Sequence, residues 1–384
     1  MRLLFASTRG AGHIGPLIPF AEVCRRAGHD VLVVAPRSAW QHVARARLPF
    51  AGVDDPLEET LAPLWERVRA AADRDEQDRI VLNEIFAGEF ARAALPGMLA
   101  VMRRWRPDIV VRETLEFASL VAAEALNLPE AHVSCFLTVV DRDAYGLSES
   151  LARLREESRL RAYGRSEDGP YLTLAPRALE DPARPPAPDT RRYRVAPAPA
   201  AQPLPDWWGG SDAPLVYVSF GSAAAGNGFF PAVYRGAADA LADEPIRVLM
   251  TLGTEVDPVD LGPVPENVHV ERWVPQAAVM PHAAAMVGHG GSGSTLMAMA
   301  AGLPLAVVPL FADQPINAAR VAALGAGLSL DGVESLATAV RSLLAVPSYR
   351  DAAAAVAAEI AAHSPIETVV PLLRSIARGD ALAA

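Results

Sequence analysis

The sequence predicts an α/β protein made of two Rossmann-like, doubly wound domains. Short apolar runs alternate with amphipathic helical stretches in both halves, as in parallel sheets covered on both faces. In each half the first apolar run leads into a glycine-containing turn. Between the halves, residues 182–205 are rich in proline, alanine and arginine and show no periodicity, which predicts a semi-rigid linker. A chain of 384 residues is long for one domain and sufficient for two, each with a sizeable core.

In order, residues 2–6 read as a buried strand followed by the turn Ser7 to Pro16. Residues 17–27 read as an amphipathic helix ended by Gly28, the residue type favoured just past a helix C-terminus. A second strand covers 30–35 and stops at Pro36. Strands at 108–111 and 131–135 flank a helix at about 116–126. The second half opens with a strand at 215–220 that runs into Gly221 and Ser222. Further strands fall near 247–251, 268–270, 285–288 and 305–308, and an alanine-rich helical region follows from 333, broken near Pro347 and Pro365. The expected domains are 1–205, including a linker from about 182 to 212, and 213–364.

Hydrophobic content of 51% with 21% charged residues describes a globular chain rather than a disordered one. A net charge of −10 argues against nucleic acid as a partner, because phosphate contacts need a basic surface. Two cysteines, Cys24 and Cys135, provide neither a disulfide framework nor metal spacing, so packing is the expected role of each. Residues 3–6 are too short for a signal peptide, and the apolar stretch 297–312 is interrupted by Gly302, Pro304 and Pro309. The chain therefore reads as cytoplasmic, with no membrane partner; a homodimer is left open.

The segment from Trp273 to Gln314 carries the chemistry. It opens with Trp273-Val274-Pro275-Gln276, holds His289-Gly290-Gly291-Ser292-Gly293-Ser294-Thr295 at its centre and closes on Asp313-Gln314. A buried strand reaches Gly288, and an apolar helix is under way by Leu296. Between them the glycines let the backbone turn sharply and approach a ligand, while Ser292, Ser294 and Thr295 offer hydroxyls and a helix cap. Free N–H groups and the positive end of the helix dipole favour an anion there, and His289 can donate a ring N–H to it.

These residues resemble the nucleotide-sugar signature of the family 1 glycosyltransferases of GT-B architecture, particularly the bacterial enzymes that decorate antibiotics. The resemblance implies two facing domains with a cleft between them, and a last helix, 365–384, that crosses back onto the first. It implies that Trp273 lies against the nucleobase, that the Val274 backbone pairs with the base edge, that Gln276 belongs to the same nucleotide-sugar site, and that His289, Gly291, Gly293, Ser294 and Thr295 hold the diphosphate. Asp313 and Gln314 would grip the donor sugar. Gly221 and Ser222 match the family's Phe-Gly-Ser and would add a phosphate contact, with Gly12 lining the other side. Gly-Ser-Gly stands here where plant members have Gly-Trp-Asn, which removes a bulky wall and an amide.

His13, in a Gly-x-Gly-His-x-x-Pro setting after the first strand, matches the family's catalytic histidine. Transfer to a hydroxyl needs a base, because a neutral alcohol is a poor nucleophile, and histidine titrates near neutrality. A carboxylate on its other nitrogen would set the tautomer. Glu113 is the nearest match by position and Glu116, one helical turn along, the alternative. Asp141-Arg142-Asp143 has the spacing of a metal-binding Asp-x-Asp, but the preorganised donors near His289 need no ion, so no metal or other cofactor is expected.

The expected reaction is an inverting, metal-independent transfer from a nucleoside-diphosphate sugar, favoured as a dTDP-deoxysugar with UDP left open, to a largely apolar natural-product aglycone such as a polyketide. The acceptor surface is expected from loops at 57–90 and 138–169, with Trp65, Ile85, Phe86, Phe90, Phe136 and Tyr145 as candidates. A nucleotide-sugar hydrolase or epimerase, and a catalytically silent partner of another transferase, remain as alternatives.

Overall fold

The computed structural model describes residues 1–137, 146–160, 169–183, 187, 189–196 and 203–380. Asp141, Asp143 and Tyr145 lie outside these. The chain forms two compact units: Met1–Thr173 with Pro185–Val195 and Ser364–Ala384, and Leu174–Arg184 with Ala196–His363.

The first unit is built on a parallel sheet of β1 (Arg2–Ala6), β2 (Asp30–Pro36), β3 (Phe50–Val53), β4 (Ile109–Glu113), β5 (Glu130–Val133), β6 (Tyr171–Thr173) and β7 (Thr190–Arg194). Its order is β7-β6-β5-β4-β1-β2-β3, with the short pair Ser364–Pro365 added beyond β7. Leu3, Leu4, Phe5 and Ala6 in β1 and all of β4 are buried, as expected of central parallel strands covered on both faces. The order reverses between β1 and β4, which makes their carboxyl ends the topological switch point where open sheets bind ligands.

Several elements depart from expectation. The helix after β1 spans Ala11–Arg26 and passes through Pro16 and Pro19, so His13 sits in its first turn and not in a loop. Packing of Ile14, Leu17, Phe20 and Ala21 in the core outweighs the proline cost. The expected acceptor loop at 57–90 is helical instead: Glu58–Ala70, then a continuous helical stretch Arg74–Trp105. Glu58 and Glu59 favour the first helix at its N-terminus, and the Asp73 carboxylate caps the second by accepting from Glu76 N–H at 2.9 Å. The second stretch is long and apolar enough by composition to cross a membrane. Leu82, Ala87, Ala91, Leu95 and Met98 account for that apolarity, because they form the core of this unit.

The expected linker contains β7, whose Tyr193 is buried edge-on against Phe20. Residues 174–183, expected in the first domain, cluster with the second unit. The Glu359 carboxylate accepts from the N–H of Arg177 and Ala178 at 2.6 and 3.3 Å, and Arg320 donates to the Ala178 carbonyl. The chain returns to the first unit at Ser364, where the helix Val369–Arg378 lays Val369, Val370 and Leu373 against β4 and β5.

The second unit has the parallel sheet β8 (Leu215–Ser219), β9 (Arg247–Thr251), β10 (Val268–Glu271), β11 (Ala285–Gly288), β12 (Leu305–Val307) and β13 (Gly327–Ser329). The order is β10-β9-β8-β11-β12-β13, with its switch point between β8 and β11. Gly221 and Ser222 follow β8, and His289 follows β11. Each unit thus carries its sequence-predicted polar cluster at the switch point of its own sheet.

Candidate active site

In the first unit the chain beyond β1 brings Thr8 and, in the first turn of the next helix, His13, while β4 ends on Glu113 and the chain beyond β5 brings Cys135. His13 Nδ1 lies 3.3 Å from Glu113 Oε2, with the glutamate side chain fully buried and the imidazole 21% exposed. Glu113 also accepts from Thr8 N–H at 3.2 Å, Thr8 Oγ1 at 3.0 Å, Leu115 N–H at 2.8 Å and Cys135 Sγ at 3.3 Å. Burial by itself would raise this carboxyl's pKa. The His13 ring and the two backbone N–H groups overcome that and hold it down at about 2. Glu113 is therefore a carboxylate throughout the neutral range, and it fixes the proton of a neutral His13 on Nδ1.

Glu116, the alternative partner, turns elsewhere and accepts from Ser119 N–H at 2.8 Å. Burial pushes its pKa up to about 7, against the Ser119 hydrogen bonds. A carboxyl whose folded pKa lies above its unfolded value contributes stability that is complete below about 4.5 and is lost as pH rises through about 7. Glu116→Gln keeps the acceptor for Ser119 and removes the ionisation. It is expected to raise unfolding free energy by about 1–3 kcal/mol at pH 8 and leave it nearly unchanged at pH 4.5. Urea melts at the two pH values check this; an equal gain at both would contradict it.

Gly12 lies beside His13 in the first helical turn, with open space where a Cβ would project. Phe86 stands 5.4 Å from the His13 ring, centroid to centroid, and stacks on Phe90, over which Arg9 is placed at 5.0 Å. Ile85 is wholly buried with Leu61 and Phe90, and Trp65 packs against that cluster; Phe136 packs on the main core.

In the second unit His289 is buried, and burial lowers its pKa to about 4 against the hydrogen bond its ring N–H donates to the Ser219 backbone, so it is neutral at pH 7. Its Nδ1 has no hydrogen-bond partner among the described residues. The ring is boxed by two glycines: a Cβ on Gly221 would come within 2.6 Å of Nε2, and one on Gly291 within 2.4 Å. These glycines therefore make room for the histidine, a reason the sequence did not reveal. Gly291→Ala forces the ring out of place and is expected to cost about 1–3 kcal/mol of stability. Gly293→Ala meets nothing within 4 Å and should cost none. Thermal melts of both variants decide; equal losses would contradict this packing.

The helix after His289 spans Ser292–Ala300, begins at Gly291 and has neither a side-chain cap nor an acidic residue in its first turn. The serines do not cap it, contrary to expectation. Ser292 Oγ donates to Asp313 Oδ2 at 2.6 Å, Ser294 pairs with Gln276 at 3.3–3.4 Å, and Thr295 Oγ1 is buried without a partner among the described residues. The helix start thus keeps its N–H groups and positive dipole end for an anion.

Gln276 also reaches Ser219 Oγ at 3.4 Å. Asn317, missed in the sequence, donates to Gly290 O and to Asp313 Oδ2 at 2.8 Å each and ties the turn to the following helix. Its position four residues after Asp313 on one helical face was the available signal. Gln314 is buried, and its Oε1 accepts from Leu310 and Phe311 N–H at 2.8 and 2.9 Å, so this oxygen holds the loop. Trp273 is exposed and Val274 half-buried. Ser222 is exposed beside Gly221.

Comparison with known proteins agrees with this construction. Residues 22–162 and 237–375 match the N- and C-terminal domain models described as erythromycin biosynthesis protein CIII-like. The chain is 31% identical to L-demethylnoviosyl transferase of Streptomyces niveus over 86% of its length and 85% of that protein. The glycosyltransferase SnogD of Streptomyces nogalater superposes with a TM-score of 0.78 at 27% identity, covering 98% of this chain and 99% of that one. A Streptomyces glycosyltransferase solved with thymidine diphosphate shares the fold with a TM-score of 0.78 at 24% identity, covering 98% of this chain and 99% of that one. The chain is therefore a glycosyltransferase of GT-B fold and belongs to the erythromycin biosynthesis protein CIII-like family of bacterial antibiotic enzymes.

Proposed function

We propose that this enzyme is an inverting, metal-independent transferase that moves a sugar from a nucleoside diphosphate, best read as dTDP, to an apolar aglycone. The observation that carries the proposal is the 3.3 Å contact between His13 Nδ1 and the buried, ionised Glu113. With its proton held on Nδ1, the ring offers Nε2 to the acceptor hydroxyl. The alcohol attacks the anomeric carbon as Nε2 takes its proton, and Glu113 stabilises the imidazolium that forms. Attack opposite the leaving diphosphate inverts the configuration.

Trp273 gives the base an exposed aromatic face, and the Val274 backbone gives its edge a hydrogen-bonding partner. The uncapped start of Ser292–Ala300, neutral His289 and the Gly221-Ser222 turn support the diphosphate without a cation. Asp313 and the Gln314 amide nitrogen are assigned to the sugar. Phe86 and Phe90 favour an apolar acceptor. The dTDP reading is supported by the antibiotic-tailoring relatives and by the fold shared with the thymidine diphosphate complex.

The test is product formation from dTDP- and UDP-sugars with an apolar polyketide alcohol, in the presence of EDTA, with the product's anomeric configuration read by NMR. Transfer is expected to persist under chelation and to give the inverted anomer. Retention, loss of turnover with EDTA, or free sugar released equally fast without acceptor would each overturn the proposal.

A further inference from the structure

We propose that His13, Glu113 and Cys135 also form a binding site for a thiophilic divalent cation such as Zn²⁺, and that occupying it shuts the enzyme off. Among the described residues these are the His, Cys and carboxylate groups gathered closely enough to share an ion, their ligand atoms all lying within 4.8 Å of one another. The individual separations are 3.3 Å for His13 Nδ1 to Glu113 Oε2, 3.3 Å for Cys135 Sγ to Glu113 Oε2 and 3.8 Å for Cys135 Sγ to His13 Nδ1. Ligands about 2.0–2.3 Å from a tetrahedral zinc stand about 3.3–3.8 Å apart, so the three atoms already sit at the corners of one face of that tetrahedron. One thiolate, one imidazole and one carboxylate is also a donor set that selects zinc over magnesium or calcium.

The charges balance as well. Glu113 is wholly buried, and the Cys135 thiol donates to it. A divalent ion that displaces the thiol proton to solvent meets two negative ligands and a neutral ring, leaving no net charge in the interior. The His13 ring is partly exposed, and water would take the fourth position.

The inhibitory consequence rests on the reading of His13 as the base. A metal on Nδ1 moves the ring proton to Nε2, where the acceptor's proton would have to go, so transfer stops. The same cluster would thus run transfer when metal-free and lose it in the presence of zinc.

Cobalt(II) titration of the EDTA-stripped enzyme reads the site directly, because a cysteine ligand gives a thiolate-to-cobalt charge-transfer absorption. We expect that band at one equivalent, displacement by Zn²⁺, and transfer reduced at least about tenfold by zinc and restored by EDTA. Cys135→Ala should weaken zinc binding at least about tenfold and relieve inhibition, measured against that variant's own metal-free rate, whereas Cys24→Ala should change neither. Absence of the cobalt band in the wild-type enzyme, or zinc binding undiminished by Cys135→Ala, overturns the site and leaves the role of His13 untouched. Binding through Cys135 with unaltered turnover overturns the inhibition and, with it, the role of His13.

Discussion

Replacing His13 by alanine is expected to cut the rate of glycosyl transfer by roughly 10²–10⁴-fold, the usual contribution of a positioned general base. The loss should fall on kcat with the acceptor, because the side chain is assigned to a proton that moves only as the new bond forms. The fold should tolerate the change. His13 is partly exposed in a helical first turn, and the core positions of that helix are Ile14, Leu17, Phe20 and Ala21. Steady-state rates at saturating donor, together with a thermal melt, separate a chemical loss from a folding defect. A fall of less than about threefold would contradict the role.

The second large effect is expected at Glu113. Glu113→Gln keeps the size of the side chain but turns one acceptor oxygen into a donor. Both oxygens are already met by donors: Oε1 by Thr8 N–H and Oγ1, Oε2 by Leu115 N–H, Cys135 Sγ and His13. An amide must therefore aim N–H groups at other donors, and where it faces His13 it favours the tautomer with its proton on Nε2. The rate is expected to fall by roughly 10²–10⁴-fold from the wrong tautomer. Stability should fall by about 1–3 kcal/mol from the unmatched buried donors. The stability contrast also has a pH signature. The folded pKa of Glu113 is depressed, so its contribution is complete above about 4.5 and is lost as pH falls through about 2. Urea melts of wild type and variant should thus differ at pH 7 and converge on acidification. A constant difference would contradict the buried-carboxylate account.

Much of the architecture is legible in the sequence because parallel strands buried on both faces leave short apolar runs, as in residues 3–6, 109–111 and 285–288. Helix starts are less legible. Pro16 argues for a loop around His13, and only the core contacts of Ile14 and Leu17 show that the helix begins at Ala11. The helices between 58 and 105 carry Pro63 and Pro96 and a mixed apolar pattern, which hides them from a periodicity argument.

At the site, sequence spacing leaves two carboxylates three residues apart. Which one faces His13 depends on where β4 ends, and the structure puts Glu113 there and Glu116 on Ser119. Cys135 lies 122 residues from His13 in the chain and has no motif, so its approach to the pair is a consequence of sheet order alone. Cys135 is buried, as its expected packing role requires, and its thiol also donates to Glu113. The glycines of the second unit are legible as glycines, but their need to accommodate the His289 ring is visible only in three dimensions.

The central claim is a division of labour, in which the first unit supplies the base and the second binds the nucleotide. Calorimetry of thymidine diphosphate binding to wild-type enzyme and to His13→Ala, without added metal, tests it most directly. The account predicts the same affinity for both proteins although the variant no longer transfers sugar. A variant that loses nucleotide binding together with turnover, or a wild type that binds only after a divalent cation is added, would contradict it.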